Sequence, residues 1–88
     1  MIKIWHDSAW DDYLYWQAQD KKKLVKINKL LRDIERNGYN ITGKPEPLKY
    51  DLQGFWSVQI DEKNRLVFRI TEDSKLEISQ CGSHYRDK

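Results

Sequence analysis

The sequence predicts an α+β domain in which an antiparallel β-sheet packs against an N-terminal helical hairpin. Three observations carry that expectation. Leu24, Ile27, Leu31 and Ile34 recur at helical spacing beside Leu30, while Lys22, Lys23, Lys26 and Lys29 stay outside. From Phe55 onward the apolar period becomes two, that of strands with one buried face. Helices thus come early and strands late, an order that collects the helices on one side of a sheet.

Taken in order, "IKIW" within residues 1–5 alternates, with Ile2 and Ile4 on one face, and reads as a short strand. Ser8 is placed to cap a first helix carrying Trp10, Tyr13, Leu14 and Trp16, since its hydroxyl can meet an orphaned backbone donor. Asp20 caps the longer second helix, and "QAQD" before it leaves room only for a tight turn. Asn37 and Gly38 end that helix. "NGYNITGKPEP" then reads as a loop, because Gly and Pro punctuate it and no period survives. "FWSVQI" and "RLVFRI" read as strands joined by "DEKN", and "KLEISQC" as another after "TEDS". Leu66, Phe68 and Ile70 share one face with Arg65, Val67 and Arg69 opposite, which leaves an arginine-bearing face partly open.

Composition bounds the function. The 88 residues allow one domain, residues 1–88, with a modest core and no internal repeat or linker. With 39% hydrophobic and 34% charged residues, the chain reads as globular rather than disordered. The lone Cys81 excludes an intramolecular disulfide, and no Cys/His cluster has metal-site spacing, so neither metal nor cofactor is expected. No apolar run reaches membrane-spanning length, and "MIKIWHDSAWDD" turns acidic where a signal peptide stays apolar, so the expected address is cytoplasmic with no membrane partner. The net charge of +2 is compatible with nucleic acid but too mild to argue for it alone. Four tryptophans and five tyrosines supply core, interface or a surface for stacking on bases.

The segment "GKPEPLK", residues 43–49, carries the first candidate for chemistry. Pro45 and Pro47 restrict the backbone on both sides of Glu46, so its carboxylate is pre-organised. A rigid carboxylate suits a general base; a rigid turn that merely exposes a glutamate has the same pattern. His84, beside Tyr85 after the last strand, can donate a proton to a leaving oxygen, although a near-terminal histidine is also an ordinary surface residue. His6, alone before the first helix, ranks below it. Arg65 opens a strand and Arg69 follows on the same face; both can hold phosphate, and both can equally be sheet arginines paired with Glu62 or Glu77. Lys44 and Lys49 extend the positive area or simply solubilise it. Glu46, Arg65 and His84 together supply a base, an anion stabiliser and an acid without a metal. That set fits cleavage of RNA by its own 2′-hydroxyl, a nucleophile that DNA lacks.

The chain resembles the YoeB toxins of the RelE/ParE superfamily, ribosome-dependent messenger-RNA endonucleases of bacterial type II toxin-antitoxin pairs. The likeness runs through "WDDYLYWQ", "KINKLL", "GKPEPLK", "L.GFWS", "RLVF" and the closing "HY", in order and over nearly the whole chain. It implies a RelE-like fold, with Glu46 as general base, Arg65 as transition-state arginine, His84 as general acid and Tyr85 shaping the site. Lys49 matches a lysine near the scissile phosphate; from their own chemistry, Lys44, Gln59 and Arg69 are the further expected RNA contacts. The implied partners are the 70S ribosome with its messenger RNA, a YefM/Phd-type antitoxin and a second copy in a homodimer. Operator DNA is contacted mainly through the antitoxin complex.

The chain departs from this pattern in three places. Val58 and Gln59 in "WSVQ" replace two arginines expected to contact RNA phosphate, which removes up to two phosphate contacts. Gly82 and Ser83 stand where a basic and an aromatic residue are common. Residues 86–88, "RDK", continue past the usual terminal tyrosine as a short extension. The alternative function is accordingly a weakened or inactive homologue that binds antitoxin or ribosome or regulates its operon. The superfamily's gyrase-inhibiting branch ranks third, since "GKPEPLK" and "HY" point to the ribonuclease branch.

Overall fold

Two edges of unlike origin bound a five-stranded sheet in the computed structural model, which describes residues 1–83. The elements are β1 (Lys3–Trp5), α1 (Asp7–Gln19), α2 (Lys21–Asn37), β2 (Glu46–Pro47), a 3-10 turn (Tyr50–Leu52), β3 (Trp56–Gln59), β4 (Arg65–Ile70) and β5 (Leu76–Gly82). Their order across the sheet is β1-β5-β4-β3-β2. The α+β class and the helical hairpin are as expected, but the sheet is mixed, because β1 lies parallel to β5. Parallel neighbours need a long connection, and the helices together with the other strands supply it.

The hairpin turns on Asp20. Its backbone N–H closes α1 onto the Trp16 carbonyl at 3.0 Å, and its side chain accepts from the Lys23 N–H at 3.3 Å to open α2. Ser8 does not cap α1. The first helical bond runs from the Trp10 N–H to the His6 carbonyl at 3.0 Å, so His6 occupies the N-cap and Ser8 falls inside the first turn. Gly38 ends α2 at φ 63°, a left-handed backbone that glycine adopts without strain, and its N–H reaches the Ile34 carbonyl at 2.8 Å.

Ile27, Leu30, Leu31 and Ile34 of α2 pack on Val58, Leu66, Phe68, Leu76 and Ile78 of the sheet. From α1 only Ala9 is buried, and Trp5, Tyr13 and Trp16 close that flank, the Trp16 indole donating to the Cys81 carbonyl at 2.8 Å. Tyr39 stacks on Trp56 and Phe68 and accepts from the Ile70 N–H at 2.7 Å. Burying one Ile, Leu or Phe contributes about 1.5–3 kcal/mol, whereas an exposed ion pair contributes about 0–1 kcal/mol. The covered face therefore holds the fold and leaves polar pairs on the other face available for function.

Two local features place the β5 residues. Ile4 pairs with Glu77, on the face away from the helices, so Ile2 and Ile4 are exposed and Trp5 is the β1 residue that joins the core. In the β4–β5 ladder Val67 faces Gln80 while Phe68 faces Ile78, so Ser79 is the extra residue of a bulge. That one residue lets Ile78 and Cys81, three apart, both be buried, and it brings Gly82 opposite Arg65. Burial, with Asp12 nearby, pushes the Cys81 thiol up to about 12, which makes it a packing residue rather than a nucleophile.

Candidate active site

The sheet face away from the helices brings Glu46 and Arg65 together through two strand pairings, with Ser57 and Val67 of that face buried among the longer side chains. Glu46 pairs with Ser57, and Gln59 pairs with Arg65, which in turn pairs with Gly82. Glu46 thus lies on the short edge strand β2 and not in a loop. Pro47 is tolerated there because an edge position does not require its missing N–H. Gly43, just upstream, is packed so closely that a Cβ would stand 2.6 Å from Val58 Cγ2. The strand below thereby seats the backbone that delivers Glu46, a positioning that the two prolines alone do not provide.

Arg65 Nη1 stands 3.6 Å from Glu46 Oε1 and 3.5 Å from Ser57 Oγ, while the Glu46 side chain is 74% exposed. A pair that long and that wet is worth little, about 0–1 kcal/mol. A phosphate can displace the carboxylate from the guanidinium at small cost, leaving an anion stabiliser beside a base. Lys44 and Lys49 flank Glu46, both exposed and without an ion-pair partner among the described residues. Lys44 sits at φ 54°, a constrained turn conformation that fixes where the proline segment begins. Gln59 is exposed beside Arg65. His84 and Tyr85 lie outside the described residues.

Val58 does not belong to this face. It is 1% exposed and packs in the core, so of Val58 and Gln59 only Gln59 is on the face away from the helices. The alternation of "WSVQ" had carried that signal. Gly82 lets α1 approach: a Cβ there would meet Asp12 Oδ2 at 2.9 Å. A cleft of about 550 Å³ lies at that corner, lined by Asp12, Trp16, Lys63 and Gly82, and excludes Glu46 and Arg65. The Glu46–Arg65 pair lies outside that cleft, with the Glu46 carboxylate largely exposed.

Arg69 is engaged. Its Nε donates to Glu77 Oε1 at 2.6 Å, and His6 Nε2 meets Glu77 Oε2 at 2.7 Å. The two bonds, His6 first and then Arg69, hold the Glu77 carboxyl below its ordinary pKa. Sequence reading named Glu77 as a partner for sheet arginines but missed His6, whose link spans the chain and has no local pattern. A second such anchor, Asp61, accepts from the Lys63 and Asn64 N–H groups in the β3–β4 turn and binds Lys23 of α2 at 2.8 Å. It is held well below the usual carboxylate range, chiefly by Lys23.

Residues 5–85 match the family model described as the YoeB-like toxin of bacterial type II toxin-antitoxin systems. The chain belongs to the YoeB-like toxin family. Toxin YoeB of Escherichia coli strain K12 is 52% identical over 85 residues, covering 97% of this chain and all of the relative. Among solved structures, the YoeB-YefM complex from Staphylococcus aureus matches with a TM-score of 0.89 at 38% identity, covering 97% of this chain and 98% of that one. The YoeB dimer from Staphylococcus aureus matches with a TM-score of 0.86 at 41% identity and the same coverage. For this YoeB-like toxin the mixed sheet and helical hairpin are thus the family architecture, and no described helix is long and apolar enough to cross a membrane.

Proposed function

We propose that the chain is a toxin that cleaves messenger RNA on the ribosome as an endoribonuclease. The observation that carries this reading is the loose, exposed Glu46–Arg65 pair on an open sheet face, opposite the end of β5 from which the chain runs on to His84. Glu46 takes the proton of a ribose 2′-hydroxyl, whose oxygen forms a bond to the adjacent phosphorus. Arg65 stabilises the charge that grows on the phosphoryl oxygens. The bond from phosphorus to the 5′-oxygen breaks as His84 donates a proton to that oxygen, leaving a 2′,3′-cyclic phosphate and a 5′-hydroxyl. The reaction uses no metal or cofactor. Lys44, Lys49 and Gln59 position the RNA backbone, and Tyr85 shapes the site beside His84.

The partners follow from relatives that form a YoeB-YefM complex and a YoeB dimer. A YefM/Phd-type antitoxin segment and a second copy of the chain are proposed here, with the 70S ribosome as the cleavage platform and operator DNA bound through the antitoxin complex. The whole chain acts as one domain in the cytoplasm, with residues 86–88 as an extension. Primer extension on translating ribosomes tests the reading: new cuts are expected with wild type and should fade in Glu46→Ala and His84→Ala. Equal cutting by all three would remove the assigned roles. One observation favours a second reading, a weakened toxin that mainly binds antitoxin or ribosome: Gln59 offers no charge beside Arg65. Induction without antitoxin separates the two, since growth arrest with messenger-RNA cuts requires the enzyme.

A further inference from the structure

We infer that Arg69 and His6, held by Glu77 beside Phe55, form a second phosphate-binding subsite for single-stranded RNA on the open sheet face. The inference rests on the reading above only in taking RNA as the ligand. Four residues along β4 separate Arg69 from Arg65, about 13 Å at strand rise, so the two guanidiniums address different phosphates of one strand.

The cluster is built with its acid inward and its bases outward. Glu77 is 15% exposed and has both oxygens engaged, one by Arg69 and one by His6, whereas the Arg69 and His6 side chains are each 43% exposed. Arg69 uses only Nε for this contact. Its two terminal nitrogens have no acceptor among the described residues, and the Phe55 ring lies under the guanidinium at 4.8 Å, fixing its plane. His6 is held edge-on to the same ring at 6.1 Å, with its Nε2 on Glu77. A fork held in place by a shielded carboxylate and an aromatic floor presents its remaining donors to solvent, the arrangement that oriented recognition of a phosphate requires. A brace joining the start of α1 to β4 and β5 would need the Glu77 bonds but not the outward fork. The subsite also stands where this face carries its charge: position 58 is buried and Gln59 is neutral, so the backbone-binding cation beyond Arg65 lies on β4 and not on β3.

The test measures binding, not cutting. The probe is a short single-stranded RNA with 2′-O-methyl riboses, which lacks the 2′-hydroxyl nucleophile, titrated at several salt concentrations against the full chain. Arg69→Gln should lower the log-log salt slope by about 0.7, the value for one phosphate contact on a single strand. Glu77→Gln removes the neutralising charge but keeps an amide oxygen to accept from Arg69 Nε, so the fork stays oriented and the probe should bind more tightly than to wild type. An unchanged slope in folded Arg69→Gln, or weaker binding in Glu77→Gln, overturns the subsite, and the second variant decides if the first does not fold. The two readings fail separately. A lowered slope in Arg69→Gln with no ribosomal cutting by wild type keeps the subsite and removes the cleavage. Cutting that depends on Glu46 with no change of slope does the reverse.

Discussion

Two arginine–carboxylate pairs share one face of this sheet, and they are built for different work. Arg69 and Glu77 meet at 2.6 Å around a carboxylate that is 15% exposed, with a histidine on its other oxygen. Arg65 and Glu46 stand 3.6 Å apart around a carboxylate that is 74% exposed. The first is a fixed arrangement that holds its members in one geometry. The second opens at small cost, so each partner remains available to a reacting phosphate. On the proposed function, shielding and distance, rather than residue type, distinguish the positioning pair from the reactive one.

The largest expected effect breaks the loose pair. Glu46→Ala should lower single-turnover cleavage on ribosomes by roughly 10²–10⁴-fold, the usual contribution of a general base. Arg65→Ala should lower it by roughly 10²–10³-fold, as expected for loss of a transition-state anion stabiliser. Both variants should fold as well as wild type, since the pair they remove is worth only about 0–1 kcal/mol. A thermal midpoint that falls with the rate would instead make the loose pair structural and erase the contrast with Arg69–Glu77.

Next in size is an effect on the fold. Val58→Arg forces a guanidinium into the core against Gly43 and should destabilise by about 3 kcal/mol or more, since an unpaired charge is then buried. Urea unfolding reads this directly. A stable Val58→Arg variant would mean that the segment carrying Glu46 can lift from β3, and that Gly43 does not seat it.

Acid titration sharpens the comparison from the other side. Hydrogen bonds from His6 and Arg69 depress the folded-state pKa of Glu77. The stability they confer is therefore full above the ordinary glutamate value near 4.3, and it is lost as pH falls through the lower folded value. Glu77→Gln should flatten the fall of the thermal midpoint below about pH 4.3 relative to wild type. An equally steep acid limb in both proteins would assign the loss to other carboxylates, with Asp61, which Lys23 depresses further, the first to examine.

How legible all this was depended on the range of the interactions. Helix α2, its Asp20 cap and strands β3 to β5 follow from local periodicity, and Glu46 stood out because two prolines announced it. What lay hidden was non-local. The parallel pairing of β1 depends on where the chain returns after the helices. The Ser79 bulge, which puts Cys81 in the core and Gly82 opposite Arg65, breaks the alternation by one residue without a glycine or proline to mark it. The cap position of α1 fell to His6, whose ring engages Glu77 across the sheet and leaves the cap without a side-chain bond. Alternation already sets Val58 inward with Trp56 and Ile60 and leaves Gln59 exposed, as the structure has them, and only the resemblance, with two arginines expected there, grouped them as one feature.

That grouping leads to the smallest effect. Because only Gln59 points away from the core, a single change, Gln59→Arg, tests what a charge at this position is worth to this chain. The new guanidinium would extend from β3 beside Arg65, with no core atom to displace, so stability should stay within about 0.5 kcal/mol of wild type. If it gains one phosphate, the salt slope for single-stranded RNA should steepen by about 0.7, in the direction opposite to Arg69→Gln. The rate at saturating substrate should hardly change, because the added contact forms equally in ground and transition states. A rise in the saturated rate would show that position 59 acts on the scissile phosphate itself. No change in slope would show that the RNA runs along β4 toward Arg69 and does not cross β3 at all.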